Sequence, residues 1–272
     1  MHSTFPPATR RVARLCAVLV PLSAGAGTAL AADDSLFGDK TDVAVGLGAQ
    51  LAPRYAGSDD SHLQILPILS VQRGLLFADT TRGAGVQYQT SWGLYAAQSI
   101  YYDQGRLQSN SDWRPGSRKL AGMGDVASSL TTRTLLAQDL GNGLSASVEA
   151  EFSLRDSASR SRYRAGMEFE ALKAGHERLV LDLDTHWGDR HYNQAYFGVS
   201  AAQAASSGLP AFRAAGGLYA VSLGATWEHS FDAHWASSLQ VTSLRYVDDV
   251  SRSPVVERRD AFSATAAITY TY

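Results

Sequence analysis

Apolar and polar side chains alternate at every second position over most of the chain, the spacing that puts successive residues on opposite faces of a β-strand. The clearest case is 144–154, where Leu144, Ala146, Val148, Ala150, Phe152 and Leu154 face Ser145, Ser147, Glu149, Glu151 and Ser153. Segment 161–172 sets Tyr163, Ala165, Met167 and Phe169 against Arg162, Arg164, Glu168 and Glu170. Segment 177–187 sets Leu179, Leu181, Leu183 and Trp187 against Arg178, Asp182, Asp184 and His186. At 216–229, Tyr219, Val221, Leu223, Ala225 and Trp227 are expected to share a face, and 234–247 carries Trp235, Leu239 and Val241. The end of the chain, 262–272, alternates Phe262, Ala264, Ala266, Ile268, Tyr270 and Tyr272 with serine, threonine and alanine, and stops on an aromatic residue.

Weaker alternation predicts further strands at 41–51, 62–72, 75–81, 84–91, 93–103 and 126–138. Pro67 removes a ladder donor and is expected near a bulge or a rim. The breaks between the twelve strands differ in length. Arg73-Gly74 and Gly141-Asn142-Gly143 are tight-turn signals, whereas 104–125, 188–215 and 248–259 are long and polar. With both ends of the chain on one side, tight turns fall on that side and long loops on the other, as a transmembrane antiparallel up-and-down β-barrel requires. A secreted β-sandwich tolerates the same period. The aromatic carboxy end, tryptophans at predicted rims (Trp92, Trp187, Trp227, Trp235) and only three lysines to guard open edges favour the barrel.

The amino terminus changes the compartment. Arg10, Arg11 and Arg14 precede the apolar run 15–22, and Ala29-Leu30-Ala31 offers a cleavage site, so 1–31 is expected to be a cleaved Sec signal peptide and 32–272 a single barrel domain in the outer membrane of a Gram-negative bacterium. Cleavage also removes Cys16, the single cysteine, leaving no thiol chemistry. It takes three basic and no acidic residues, which moves the net charge from −2 to −5. No basic patch with interleaved aromatics is left, so nucleic acid is not an expected partner and membrane lipid is. Beyond the signal segment no apolar run is long enough for a transmembrane helix.

Candidate chemistry concentrates on one set of faces. Asp182, Asp184 and His186 stand in a row that a metal site or an acid–base site would need. Neighbouring strands offer Glu149, Glu151, Arg162, Arg164, Glu168, Glu170 and Arg178 to the same interior, and a ladder of mutually neutralising charges facing the lumen accounts for all ten residues at once. No serine stands beside His186 at strand-neighbour register, so no catalytic, cofactor or metal residue is assigned and no enzyme is expected. Phe262, Ile268, Tyr270 and Tyr272 are assigned to barrel closure and recognition for membrane insertion. In the long loop, Ser200 and Gln203 fit a capping box, followed by Gly208 and Pro210, which predicts a helix over 201–207. Pro53 to Asp60 reads as a polar turn, since it lacks the spaced donors of a calcium loop.

Several segments resemble the MipA/OmpV family of outer-membrane proteins, also called MltA-interacting proteins. They are Pro53-Arg54-Tyr55-Ala56-Gly57-Ser58-Asp59, Gly122-Met123-Gly124-Asp125, and Asn193 with Tyr196-Phe197-Gly198-Val199-Ser200 running to Ser207-Gly208-Leu209-Pro210. The resemblance implies an outer-membrane barrel, in one branch a scaffold for a lytic transglycosylase and a murein synthase, in others a small porin or surface adhesin. It brings no catalytic motif.

Overall fold

The twelve alternating segments form twelve antiparallel strands that close into a barrel in chain order. The computed structural model describes residues 38, 40–154 and 159–272. The expected signal segment, its cleavage site and the start of the domain at 32 lie outside the described residues. The strands are β1 (Thr41–Pro53), β2 (Ser61–Arg73), β3 (Leu76–Asp79), β4 (Gly83–Gln89), β5 (Leu94–Asp103) and β6 (Ser129–Gly141). They continue as β7 (Leu144–Ser153), β8 (Ser161–Ala174), β9 (Glu177–Gly188), β10 (Gly217–Ser230), β11 (Trp235–Tyr246) and β12 (Asp260–Thr271). Two helices interrupt the loop after β9: α1 (Arg190–Phe197) and α2 (Ala201–Ser207).

Turn chemistry sets the register. Between β6 and β7 the chain turns through Gly141, Asn142 and Gly143, all at positive φ, and the ladder shifts between Asp139 and Gly141. Two glycines flanking an asparagine reach this conformation without a Cβ clash. The barrel closes where β12 pairs with β11 on one edge and β1 on the other, Val45 opposite Tyr270 and Leu47 opposite Ile268. Gly46 makes that seam possible, because a Cβ there would stand 2.4 Å from the Ile268 carbonyl oxygen and 3.1 Å from Thr269 Cα.

The outward face is apolar. Leu47, Leu63, Ile65, Val148, Leu183, Leu223, Leu239 and Ile268 are all exposed. Aromatics gather in two belts, Phe152, Tyr163, Tyr102 and Phe262 near the long loops and Tyr88, Trp92, Phe169, Trp227, Trp235 and Tyr272 near the tight turns. An apolar band between aromatic girdles is the surface a barrel presents to lipid.

Two expectations need correction. Pro67 sits in mid-strand, in unbroken register opposite Leu47. It is tolerated there because β3 reaches only Ser70 on the other side of β2, so no ladder asks Pro67 for a donor. Tyr219 does not share the face of Leu223 and Trp227. A bulge between Leu218 and Ala220 turns it inward, where it is buried against Tyr192 and Phe197.

The hydrophobic core lies under the long loops rather than along the barrel. One cluster joins Tyr192, Tyr196 and Phe197 of α1 to Val126, Tyr219, Tyr246 and Val250, and a second joins Tyr55, Leu120, Met123, Val199 and Val255. The loops thus fold over the barrel mouth as a packed cap.

Candidate functional site

The charged side chains of β6 to β9 meet because strand register sets opposite charges side by side. Arg133 is opposite Glu151, Glu151 opposite Arg162, and Glu149 opposite Arg164. Glu151 is 3% exposed and takes Arg133 Nη2 at 2.7 Å, the Tyr101 hydroxyl at 2.7 Å, and Arg162 Nε. Arg164 joins Glu149, 3.5 Å away, to Asp184, 3.2 Å away. Nearer the tight turns Arg178 bridges Glu170 at 2.6 Å and Glu228 at 3.2 Å. Glu168 faces Asp182 across the ladder, and Asp182 Oδ1 is buried with no hydrogen-bond partner among the described residues. Two glycines make room for the aspartates: a Cβ at Gly166 would meet Asp184 Oδ1 at 2.1 Å and one at Gly224 would meet Asp182 Oδ1 at 2.3 Å.

The facing wall has a different chemistry. β12, β1 and β2 alternate exposed apolar residues with Thr265, Ala267, Thr269 and Thr271, with Ala44, Gly46 and Gly48, and with Leu66 and Ile68. One side of the barrel is ion-paired and the other is small, hydroxylated and apolar.

His186 and Ser222 form a pair that sequence reasoning missed. His186 Nε2 lies 2.9 Å from the Ser222 hydroxyl, beneath α1, with its ring centroid 5.9 Å from that of Tyr219. Alternation places both side chains on the lumen face, but their contact depends on the register of β10 against β9, and these strands are joined by the long segment 189–216 rather than by a tight turn. Among the described residues no carboxylate hydrogen-bonds the His186 ring. Asp182 and Asp184 occupy the same strand face, each leaning over its own glycine, and no three metal-binding side chains converge among the described residues.

On the terminal strand, Phe262, Ile268 and Tyr272 are exposed on the lipid side. Tyr270 packs edge-on to Trp235 and Tyr272, with centroids 5.0 and 4.9 Å apart.

The cap is built from local signals. Asp189 caps α1 by accepting from Tyr192 N at 2.6 Å, which lines Tyr192 and Tyr196 on one face and Asn193 and Phe197 beside it. That helix was not expected, though Asp189 before an i, i+4 aromatic pair was its readable sign. α2 carries the expected capping box between Ser200 and Gln203, ending at Gly208 with φ +76. Long-range bonds tie the loops together. Arg106, 2% exposed, donates from Nη1 to the Tyr196 carbonyl at 2.5 Å, the Tyr55 hydroxyl meets Glu257 at 3.1 Å, and Lys119 pairs with Asp59 and Glu257. The hydrogen bond from Lys119 holds the Asp59 carboxyl below its ordinary range, burial pushes the Tyr55 hydroxyl up, with Glu257 adding to it, and burial lowers the Arg106 guanidinium.

The described residues line a recess of about 480 Å³ beside α1 and α2, with Arg190, Gln194, Phe212 and Arg213 in its wall. A recess of about 260 Å³ lies at the tight-turn end between Asn142, Glu168, Lys173 and Arg178.

Among solved structures the chain is similar to the KdgM porin, at 7% identity over 84% of this chain and 99% of that one, with a TM-score of 0.43. It is also similar to a bacterial polysaccharide outer membrane secretin (8% identity, 85% and 98% covered, TM-score 0.41) and to Pseudomonas putida OprB (11%, 76% and 59%, 0.39). No curated protein matches it. Residues 45–272 match the model of one family, from the closing seam of β1 to the terminal Tyr272. The chain is an outer-membrane β-barrel protein and belongs to the family of MltA-interacting proteins, MipA.

Proposed function

We propose that this barrel is an interaction protein of the outer membrane, holding a murein hydrolase of the lytic transglycosylase type, and through it a murein synthase, on its tight-turn side. The observation that supports this reading most is the packed cap. Two hydrophobic clusters and the Lys119, Tyr55 and Arg106 contacts hold the long loops over the mouth, an arrangement poorly suited to a general diffusion pore. The family description supplies the partner class. On the tight-turn side the recess between Asn142, Lys173 and Arg178 offers the polar relief that a partner would grip. Catalysis has no part in this role.

A second reading, a narrow channel, is favoured by the asymmetric lumen, in which a charged row faces a small-residue wall. A surface adhesin would instead use the outer face of the cap. Planar-bilayer conductance run beside co-purification in mild detergent separates these readings. The interaction role predicts capture of a lytic transglycosylase and no steady conductance steps. Ohmic steps without capture would overturn it.

A further inference from the structure

The barrel wall is complete on one side and low on the other. β3 and β4 are the shortest strands, and β3 pairs with β2 only from Ser70 to Arg73. The pairing of β4 with β5 likewise ends at Ala84 opposite Ile100. Above that level β2 from Ser61 to Leu69 has β1 on one edge, and among the described residues no strand on the other. The next wall is β5, three strand spacings away, roughly 14 Å. Leu69 O accepts from Thr80 N at 3.1 Å across this edge. Backbone groups two residues apart point the same way along a strand, so the N–H and C=O of Leu63 and Ile65 point into the gap. Neither has a backbone partner there among the described residues.

The gap lies at membrane depth. Leu63 and Ile65 are 65% and 50% exposed on the lipid side. Through β1, Leu63 and Ile65 sit level with Ala264 and Ala266, just below the girdle residue Phe262. Its roof is the loop from β5, where Gly116 N donates to Arg54 O at 2.8 Å. Three buried nitrogens without a hydrogen-bond partner among the described residues flank its upper end. Arg54 Nη1 and His62 Nδ1 stand at the top of β1 and β2, and Arg106 Nε stands just beyond β5 on the other side. His62 and Arg106 are 9% and 2% exposed, and the charge acting on Arg106 comes from Asp125.

Backbone polar groups are not left bare in hydrocarbon. A second copy of this chain does not supply partners. Two barrels of the same membrane orientation bring strands tilted by about 40° into contact with opposite lean, and the crossing of roughly 80° forbids a ladder. An acyl chain alone donates and accepts nothing. We infer that the gap between β2 and β5 is a lateral binding site for an anionic, phosphate-bearing amphiphile of the outer leaflet. Its headgroup sits under the loop roof, where phosphate oxygens accept from the N–H groups of Leu63 and Ile65 and from Arg54, His62 and Arg106, and its acyl chain leaves below them, past Pro67 and Leu69, into the bilayer. The interior wall behind the gap, Leu66, Ile68 and Gly48, is apolar and small enough to accept part of the chain.

Amide hydrogen exchange on the full barrel in phosphatidylcholine nanodiscs tests this, with dodecyl phosphate as the probe. Without probe, Leu63 and Ile65 exchange about a hundredfold faster than Leu47 and Ile268 in the β1–β12 seam, and dodecyl phosphate slows them about tenfold. Dodecyltrimethylammonium and inorganic phosphate leave them unchanged. In Arg54→Gln, checked for intact barrel by heat-shifted gel mobility, the slowing is lost. His62→Gln gives the same loss should Arg54→Gln not fold. The inference is overturned by Leu63 and Ile65 amides as protected as Leu47 without probe. It is equally overturned by slowing with the cationic amphiphile or with phosphate alone, or by slowing that persists in the folded variant. None of these outcomes depends on a murein enzyme, so the proposed interaction role stands or falls separately.

Discussion

Removing the Glu151 carboxylate tests whether the charged wall stabilises the barrel as a unit. Glu151 is nearly inaccessible and receives Arg133, Arg162 and the Tyr101 hydroxyl. Glu151→Ala leaves two guanidinium groups facing each other over an apolar gap. Breaking a buried pair on one side costs about 3–5 kcal/mol. Two features place this case at the lower end. Arg162 is 38% exposed, and Arg133 retains Glu149 at 3.7 Å. A loss of about 3 kcal/mol, with a urea slope of roughly 2 kcal/mol/M, lowers the unfolding midpoint by about 1.5 M. The assay is urea unfolding in lipid vesicles, followed by the gel mobility of folded barrel. Glu151→Leu with Arg162→Met removes both partners and restores more than half of the loss, since an apolar replacement of a buried pair is close to neutral. A midpoint shift below about 0.5 M for Glu151→Ala, or a double variant as unstable as the two single losses combined, would refute the idea that these charges are desolvated and coupled.

Gly46→Ala places a methyl against the Ile268 carbonyl at the closing seam, and because that neighbour is backbone it cannot swing aside. A cost of about 2 kcal/mol and a lower heat-modification temperature are expected. Deleting Tyr270 to Tyr272 removes the Tyr272 N bond to Val43 O and the aromatic packing on Trp235, so barrels fail to assemble in vesicles. Normal assembly would end the assignment of these residues to closure and insertion. Because Lys119 lowers the Asp59 carboxyl, that tie is present above the ordinary aspartate range and is lost only as pH falls below it. With Asp60 and Glu257 facing the same ammonium, amide exchange in 54–60 rises at acid pH and at high salt, and stays level in Lys119→Met.

Strand number, closure and turn sides were legible because period-two alternation needs no tertiary context. The terminal strand and 144–154 read correctly for that reason, and α2 read correctly because its capping box is local. What failed was set by neighbours. Pro67 looked like a rim signal, yet its position is explained by β3 ending early, a property of another strand. Alternation puts Tyr219 outward because a bulge moves a side chain between faces without changing composition, and the contact of His186 with Ser222 depends on a β9–β10 register that no tight turn fixes. The packing of loops into a cap was out of reach, since it depends on contacts such as Tyr55 with Glu257 that no local pattern encodes.

Those contacts also bear on how the outer surface can change over time. Exposed loops ordinarily accept insertions one at a time. Here the segment after β1 is bonded to those after β5 and β11, and α1 accepts from Arg106 and Ser253 through the carbonyls of Tyr196 and Phe197. A lengthened loop therefore disturbs its neighbours as well as itself. Variation confined to single loops is tolerated at tips such as Trp113, and larger changes require several loops to be exchanged together as one block.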